Sequence, residues 1–95
     1  MNSLIDMVAI KLPENPTEKR ELMLTQRGKL VIVHHRGALD RLVYFGTLVR
    51  CTDYNYSVST SGDSYLSYPG IIELMIDSSD SNNAKLLTEG KFIRL

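Results

Sequence analysis

The chain has 95 residues and a formal net charge of zero, with 11 Lys and Arg against 11 Asp and Glu. This length holds one domain with a small core, and the absence of net charge argues against non-specific attraction to nucleic acid. A single cysteine excludes an internal disulfide, and no apolar run reaches the ~20 residues that span a bilayer; with no basic leader at the start, the expectation is a cytoplasmic protein, with the nucleus as the alternative.

Ser3 to Leu12 (SLIDMVAIKL) fits a helical face through Leu4, Met7 and Val8. It also fits strand alternation through Val8, Ile10 and Leu12, and both readings stay open. Pro13 to Pro16 breaks the chain, so residues 1–15 read as an N-terminal arm and 16–95 as the domain. Asn15-Pro16-Thr17-Glu18 opens a helix: Asn15 can accept at the N-cap, and Pro16 lacks an N–H where none is needed. Glu18 stands where a capping box places its acid. The helix is predicted to run to Arg27 and stop at Gly28, which can take positive φ.

Leu30 to His35 is rich in β-branched residues and reads as a strand. Gly37 to Asp40 is a turn. Arg41 to Arg50 (RLVYFGTLVR) is a long strand with Gly46 in its middle, where a bend would let the sheet curl toward a barrel. Tyr54 to Thr60 alternates and reads as the next strand, and Ser61 to Ser64 as a turn. Tyr65 to Tyr68 is ambiguous, and Pro69-Gly70 is a break. Ile71 to Ile76 is a strand by its length and flanks. Asp77 to Asn83 reads as a mobile polar loop. Lys85 to Leu87 and Lys91 to Leu95 read as a last strand pair or one bent strand.

Little in this pattern points to catalysis. His34 and His35 are neighbours on a strand, so they face opposite ways and cannot share a metal. Cys51 reads as a small buried hydrophobe, and Asp53 as a turn cap. No phosphate loop or nucleophile elbow occurs. Catalytic residues, metal and cofactor are therefore not expected, and the chain reads as a non-enzyme. Charge is uneven, with eight Lys/Arg and five Asp/Glu in residues 1–50 against three and six in 51–95. Arg27, Lys29, Arg36, Arg41 and Arg50 would thus allow a local basic patch. Tyr54 and Tyr56 flank Asn55 close to Arg50, and aromatics beside basic residues can stack bases. The plainer alternative is that one tyrosine fills the core edge and the other is exposed.

From Gly28 onward the chain resembles the Sm/LSm family. The resemblance rests on the helix before Gly28-Lys29, on Gly37 and on the strand Phe45-Gly46-Thr47-Leu48-Val49, and it covers residues 16–95 with extra length at Ala38–Asp40. Leu86 to Arg94 has the shape of the family's second motif, a glycine turn between two short apolar strands. The resemblance implies a mainly β fold, a small, strongly bent five-stranded barrel (Sm-like or SH3-like) with an N-terminal α-helix. It also implies RNA contacts from Tyr54, Asn55, Tyr56, Arg50 and Lys91, if RNA is bound at all. The base-pocket residues depart from the pattern. Counted from Gly46, the family's Asp falls on Thr52 and its Asn on Tyr56; one inserted residue restores Asp53 but moves the Asn position to Ser57. Asn55 fits neither register, and Glu89 stands in place of the arginine, which opposes phosphate binding.

Cys51-Thr52-Asp53 after that strand is similar to the auxiliary Sm-like subunit of the NatC-type N-terminal acetyltransferase complex. The function expected is therefore a non-catalytic subunit held by larger protein subunits or other Sm-like subunits. The alternative is an RNA-binding ring subunit that takes single-stranded RNA in RNA processing or decay. A third reading is an unrelated small β-domain that binds a protein or nucleotide ligand. No membrane partner is expected.

Overall fold

The computed structural model describes residues 6–95, so the expectations for Ser3 to Ile5 lie outside the described residues. Six strands and two helices follow one another as β1 (Met7–Ile10), α1 (Pro16–Leu24), β2 (Leu30–Arg36), β3 (Arg41–Cys51), β4 (Asn55–Val58), β5 (Leu66–Ser67), β6 (Ile71–Asp77) and α2 (Ser81–Thr88). All pairings are antiparallel, in the order β1-β6-β2-β3-β4-β5. The open question at Ser3 to Leu12 is resolved as a strand for Met7–Ile10, because β6 offers it a partner from Leu74 to Asp77. What read as an arm is thus built into the sheet.

The start of α1 is as its sequence implies. Asn15 Oδ1 accepts from the N–H groups of Thr17 and Glu18 at 2.8 and 3.2 Å. The helix ends three residues earlier than predicted. Thr25 and Gln26 close a tight turn onto Leu22 and Met23, and Gly28 at φ 83° hands the chain to β2.

The bend predicted in β3 is present. Residues up to Thr47 pair with β2, and from Leu48 onward the strand pairs with β4, with a register shift between Leu48 and Arg50. Gly46 permits the fold-over: a Cβ there would stand 2.4 Å from Ser59 Oγ, the oxygen that accepts from Thr47 N–H at 3.0 Å. The sheet is rolled by its own connectivity. In a flat sheet β5 would lie roughly 19 Å from β6, four strand spacings away. Only Tyr68–Gly70, a 3-10 turn, joins them, and that connection spans at most about 14 Å.

The roll does not close into the five-stranded barrel expected. β6 pairs with β2 on one side and, over Leu74–Asp77, with β1 on the other. No ladder joins β5 to β6, and β5 is only two residues long. A side chain bridges the gap instead. His35, buried on the inner face of β2, places Nδ1 3.0 Å from the Arg36 carbonyl and Nε2 3.1 Å from the Ser67 carbonyl. Its ring lies so close to Gly70 that a Cβ there would stand 2.4 Å away.

The inner face carries the core: Ile10, Val31, Val33, Leu48, Tyr56, Val58, Leu74 and Ile76, with Met23 from α1 and with Leu22, Leu87 and Phe92 packed on it. Asp77 to Asn83, predicted as a mobile loop, is the last residue of β6, a short turn and the start of α2. Asp80 caps α2 by accepting from Asn83 N–H at 3.0 Å, and it pairs with Lys29 at 2.8 Å. The Lys29 hydrogen bond holds its carboxyl below the usual range. Fully buried Asn83 exchanges two amide hydrogen bonds with fully buried Gln26, at 2.8 and 3.0 Å. This polar clasp makes a helix of a segment predicted as loop and strand. The two apolar strands expected at Leu86 to Arg94 are accordingly the end of α2, a turn at Gly90 with φ 77°, and one isolated bridge between Arg94 and Ile10.

Candidate functional site

The residues proposed from sequence for RNA contact do not come together. Tyr56 is fully buried, its ring tilted against Tyr68 at 5.6 Å and His35 at 6.1 Å. Its hydroxyl has no hydrogen-bond partner among the described residues, and burial pushes that group above the usual phenol range. Such a ring cannot stack on a base. Tyr54 is 79% exposed at the tip of the β3–β4 turn. Asn55 is used in holding that turn: its carbonyl accepts from Thr52 N–H at 2.7 Å and from the Tyr68 hydroxyl at 3.0 Å. Arg50 donates to the Tyr65 hydroxyl at 2.9 Å. Lys91 lies 3.8 Å from Glu89 and lines a different groove, with Glu18, Glu21 and Leu22 of α1. Tyr54 lines a cleft with Pro16, Thr17 and Arg20, on another side of that helix.

The basic patch also separates. Lys29 stands at the start of β2 and is paired to Asp80, whereas Arg36 and Arg41 face each other at the far end, roughly 20 Å along the strand. Arg41 reaches back to His34 Nδ1 at 3.3 Å. The cleft under Tyr54 measures about 450 Å³ and is close to electrically balanced, since Arg20 and Asp53 face each other at 3.8 Å. Cys51 donates its thiol toward the Met23 carbonyl at 3.8 Å, and burial raises its pKa, so it is not held as a thiolate. Among the described residues, no three His, Cys, Asp or Glu side chains gather as a metal site, and no helix is long and apolar enough to cross a membrane.

The surface that stands out was not singled out from sequence. It is the outer face of β1, β6, β2 and β3. Register places Ala9, Met75, Ile32 and Phe45 side by side in a row across the four strands, roughly 14 Å from end to end. Val43 lies next to Phe45 on the same face of β3, two residues along. The helices pack on the inner side, through Met23, Leu22 and Leu87. Phe45 stays 38% exposed and Val43 56%. The signal was available in RLVYFGTLVR, which is apolar at both odd and even positions. A strand with only one face on the core alternates, and this one is apolar on its second face as well.

No family model, curated protein or solved structure matches the chain.

Proposed function

We propose that the chain is a non-catalytic subunit of a hetero-oligomeric protein complex, meeting a larger protein through the outer face of its sheet. The observation that carries this reading is the apolar row Ala9–Met75–Ile32–Phe45 with Val43 beside it, in which Phe45 and Val43 are exposed and Ala9, Met75 and Ile32 are half-buried. A contiguous apolar patch on a small domain marks an interaction surface, and a small core gains from assembly. The non-catalytic part is supported by how the reactive groups are used: His35 joins strands, Cys51 packs, and Asp80 caps a helix.

The finer fold reading, a variant of the Sm-like barrel, is supported by a capped helix followed by five antiparallel strands and by the bend of β3 at Gly46. β1 and α2 are additions to that plan. The assignment to a NatC-type complex rests on Cys51-Thr52-Asp53 in sequence. The RNA-binding alternative keeps one observation, exposed Tyr54 with Arg20 in the cleft beside it. It predicts salt-sensitive binding of an oligouridine strand that Tyr54→Ala weakens.

The partner reading is tested by changing Val43→Lys and Phe45→Lys together. Both positions are exposed, so stability should move little, on the order of 0.5 kcal/mol each. Affinity purification with quantitative mass spectrometry should find a protein partner at stoichiometric level with the unchanged chain and lose it with the double variant. A monomer without such a partner rejects the reading.

A further inference from the structure

The free edge of β1 is already occupied, by another part of the same chain. Residues Ile93 to Leu95 run antiparallel beside it. Lys11 N–H donates to the Ile93 carbonyl at 2.7 Å, Leu95 N–H donates to the Ala9 carbonyl at 3.1 Å, and Arg94 faces Ile10 as a bridge. This is the geometry of an added strand. It is also incomplete. Pairing around Ile10 and Arg94 offers four main-chain bonds, two each at Ala9 and Lys11, and two are formed. The side chains gain little: Ile93 is 56% exposed, Leu95 76%, and Arg94 is exposed as well. On its other side β1 is held by four registered pairs with β6.

We infer that the β1 edge is a strand-accepting site, guarded in cis by Ile93–Leu95 and opened to an extended segment of a partner protein. The guard shows what fits. An occupant lies antiparallel and pairs its main chain with Ala9 and Lys11, where Ile93 and Leu95 now pair. At the Ile93 end the edge runs into a groove of about 530 Å³ lined by Leu12, Pro13, Leu22, Leu86 and Phe92, which would take a further apolar side chain of a longer segment. Main-chain bonds would supply affinity, and the side chain that enters this groove specificity. The guard also keeps an otherwise bare edge from indiscriminate pairing. This inference does not depend on the outer-face reading, since an edge and a face are separate surfaces.

The probe is a synthetic peptide of the sequence Gly90–Leu95, titrated by NMR into the full chain and into full-length Leu95→Pro, which lacks the N–H given to Ala9. A weakened guard raises the fraction of chains with an open edge, and apparent affinity rises with that fraction. The peptide should perturb the amides of Ala9, Ile10 and Lys11 in both proteins, and bind the variant about tenfold tighter. The Val43→Lys, Phe45→Lys chain should bind it unchanged, which separates this test from that of the outer face. Equal affinity, or perturbation elsewhere, overturns the inference. Self-association of Leu95→Pro through the same amides also overturns it, because the occupant is then a second copy. If Leu95→Pro does not fold, hydrogen exchange on the unchanged chain decides. The Lys11 amide should exchange by local opening, about 100-fold or more faster than the β1–β6 ladder amides. Exchange of Lys11 only through global unfolding would overturn the inference.

Discussion

Tyr56 carries two opposed effects in one side chain. Its ring fills the space between His35 and Tyr68, while its hydroxyl is buried without a partner among the described residues. An unpaired buried hydroxyl costs on the order of 1–3 kcal/mol. Tyr56→Phe keeps the ring and removes the cost, so it should stabilise the chain, by about 1 kcal/mol in urea denaturation. A loss of stability would mean that the hydroxyl has a bonding role. The residue also shows the limit of reading by composition. Tyr54-Asn55-Tyr56 reads as a pair of aromatics beside a polar residue. Which ring faces in is set by where β3 folds over and β4 begins, a register that Gly46 and the Leu48–Arg50 shift decide. The same holds for His35, whose two carbonyl partners are supplied by its own neighbour and by a strand 32 residues away.

The elements divide by how local their causes are. α1 was legible because its start is written in four consecutive residues, and Gly46 announced the bend of β3. α2 was not legible, because Ser81-Asn82-Asn83 are weak helix formers and its own periodicity is short. What makes it helical is non-local. Asn83 meets Gln26 across 57 positions, and Asp80 meets Lys29 across 51. A two-partner amide pair has a recognisable energetic signature. Asn83→Ala leaves the Gln26 amide buried and half-satisfied, and takes a donor from the Asp77 carbonyl at 3.0 Å, so it should cost about 2–3 kcal/mol. Gln26→Ala should cost a similar amount. The double variant should lose clearly less than the sum, because two unpaired groups vanish together. A double-mutant cycle in urea reads the coupling. Additive losses would show that the two amides do not depend on each other.

At the scale of the whole molecule, the question is what keeps an open sheet rolled. The ladder stops short of closure, and the closing contacts are side chains around the 3-10 turn. His35 reaches across from β2. Tyr68 within the turn donates its hydroxyl to the carbonyls of Thr52 and Asn55, at 2.6 and 3.0 Å, and so ties the β5–β6 link to the β3–β4 turn. Burial is the main cause that pushes the Tyr68 hydroxyl from its usual 10.0 up to about 12. A group whose pKa is raised by folding contributes stability that is fully present below its unfolded pKa and disappears as pH climbs through the folded one. For Tyr68 that window runs from pH 10 to about 12. Tyr68→Phe should therefore cost about 1–3 kcal/mol near pH 8, where the Thr52 carbonyl loses its donor and the Asn55 carbonyl keeps only those of Thr52. The gap to the unchanged chain should narrow steadily above pH 10. Lysines and the other tyrosines titrate in both proteins, so the difference isolates this hydroxyl. Urea midpoints at pH 8, 10 and 11.5 give the comparison. The absence of a gap at pH 8 would remove the Tyr68 hydroxyl from the contacts that hold the roll, leaving His35 and the short link Tyr68–Gly70 to do so through packing and chain length.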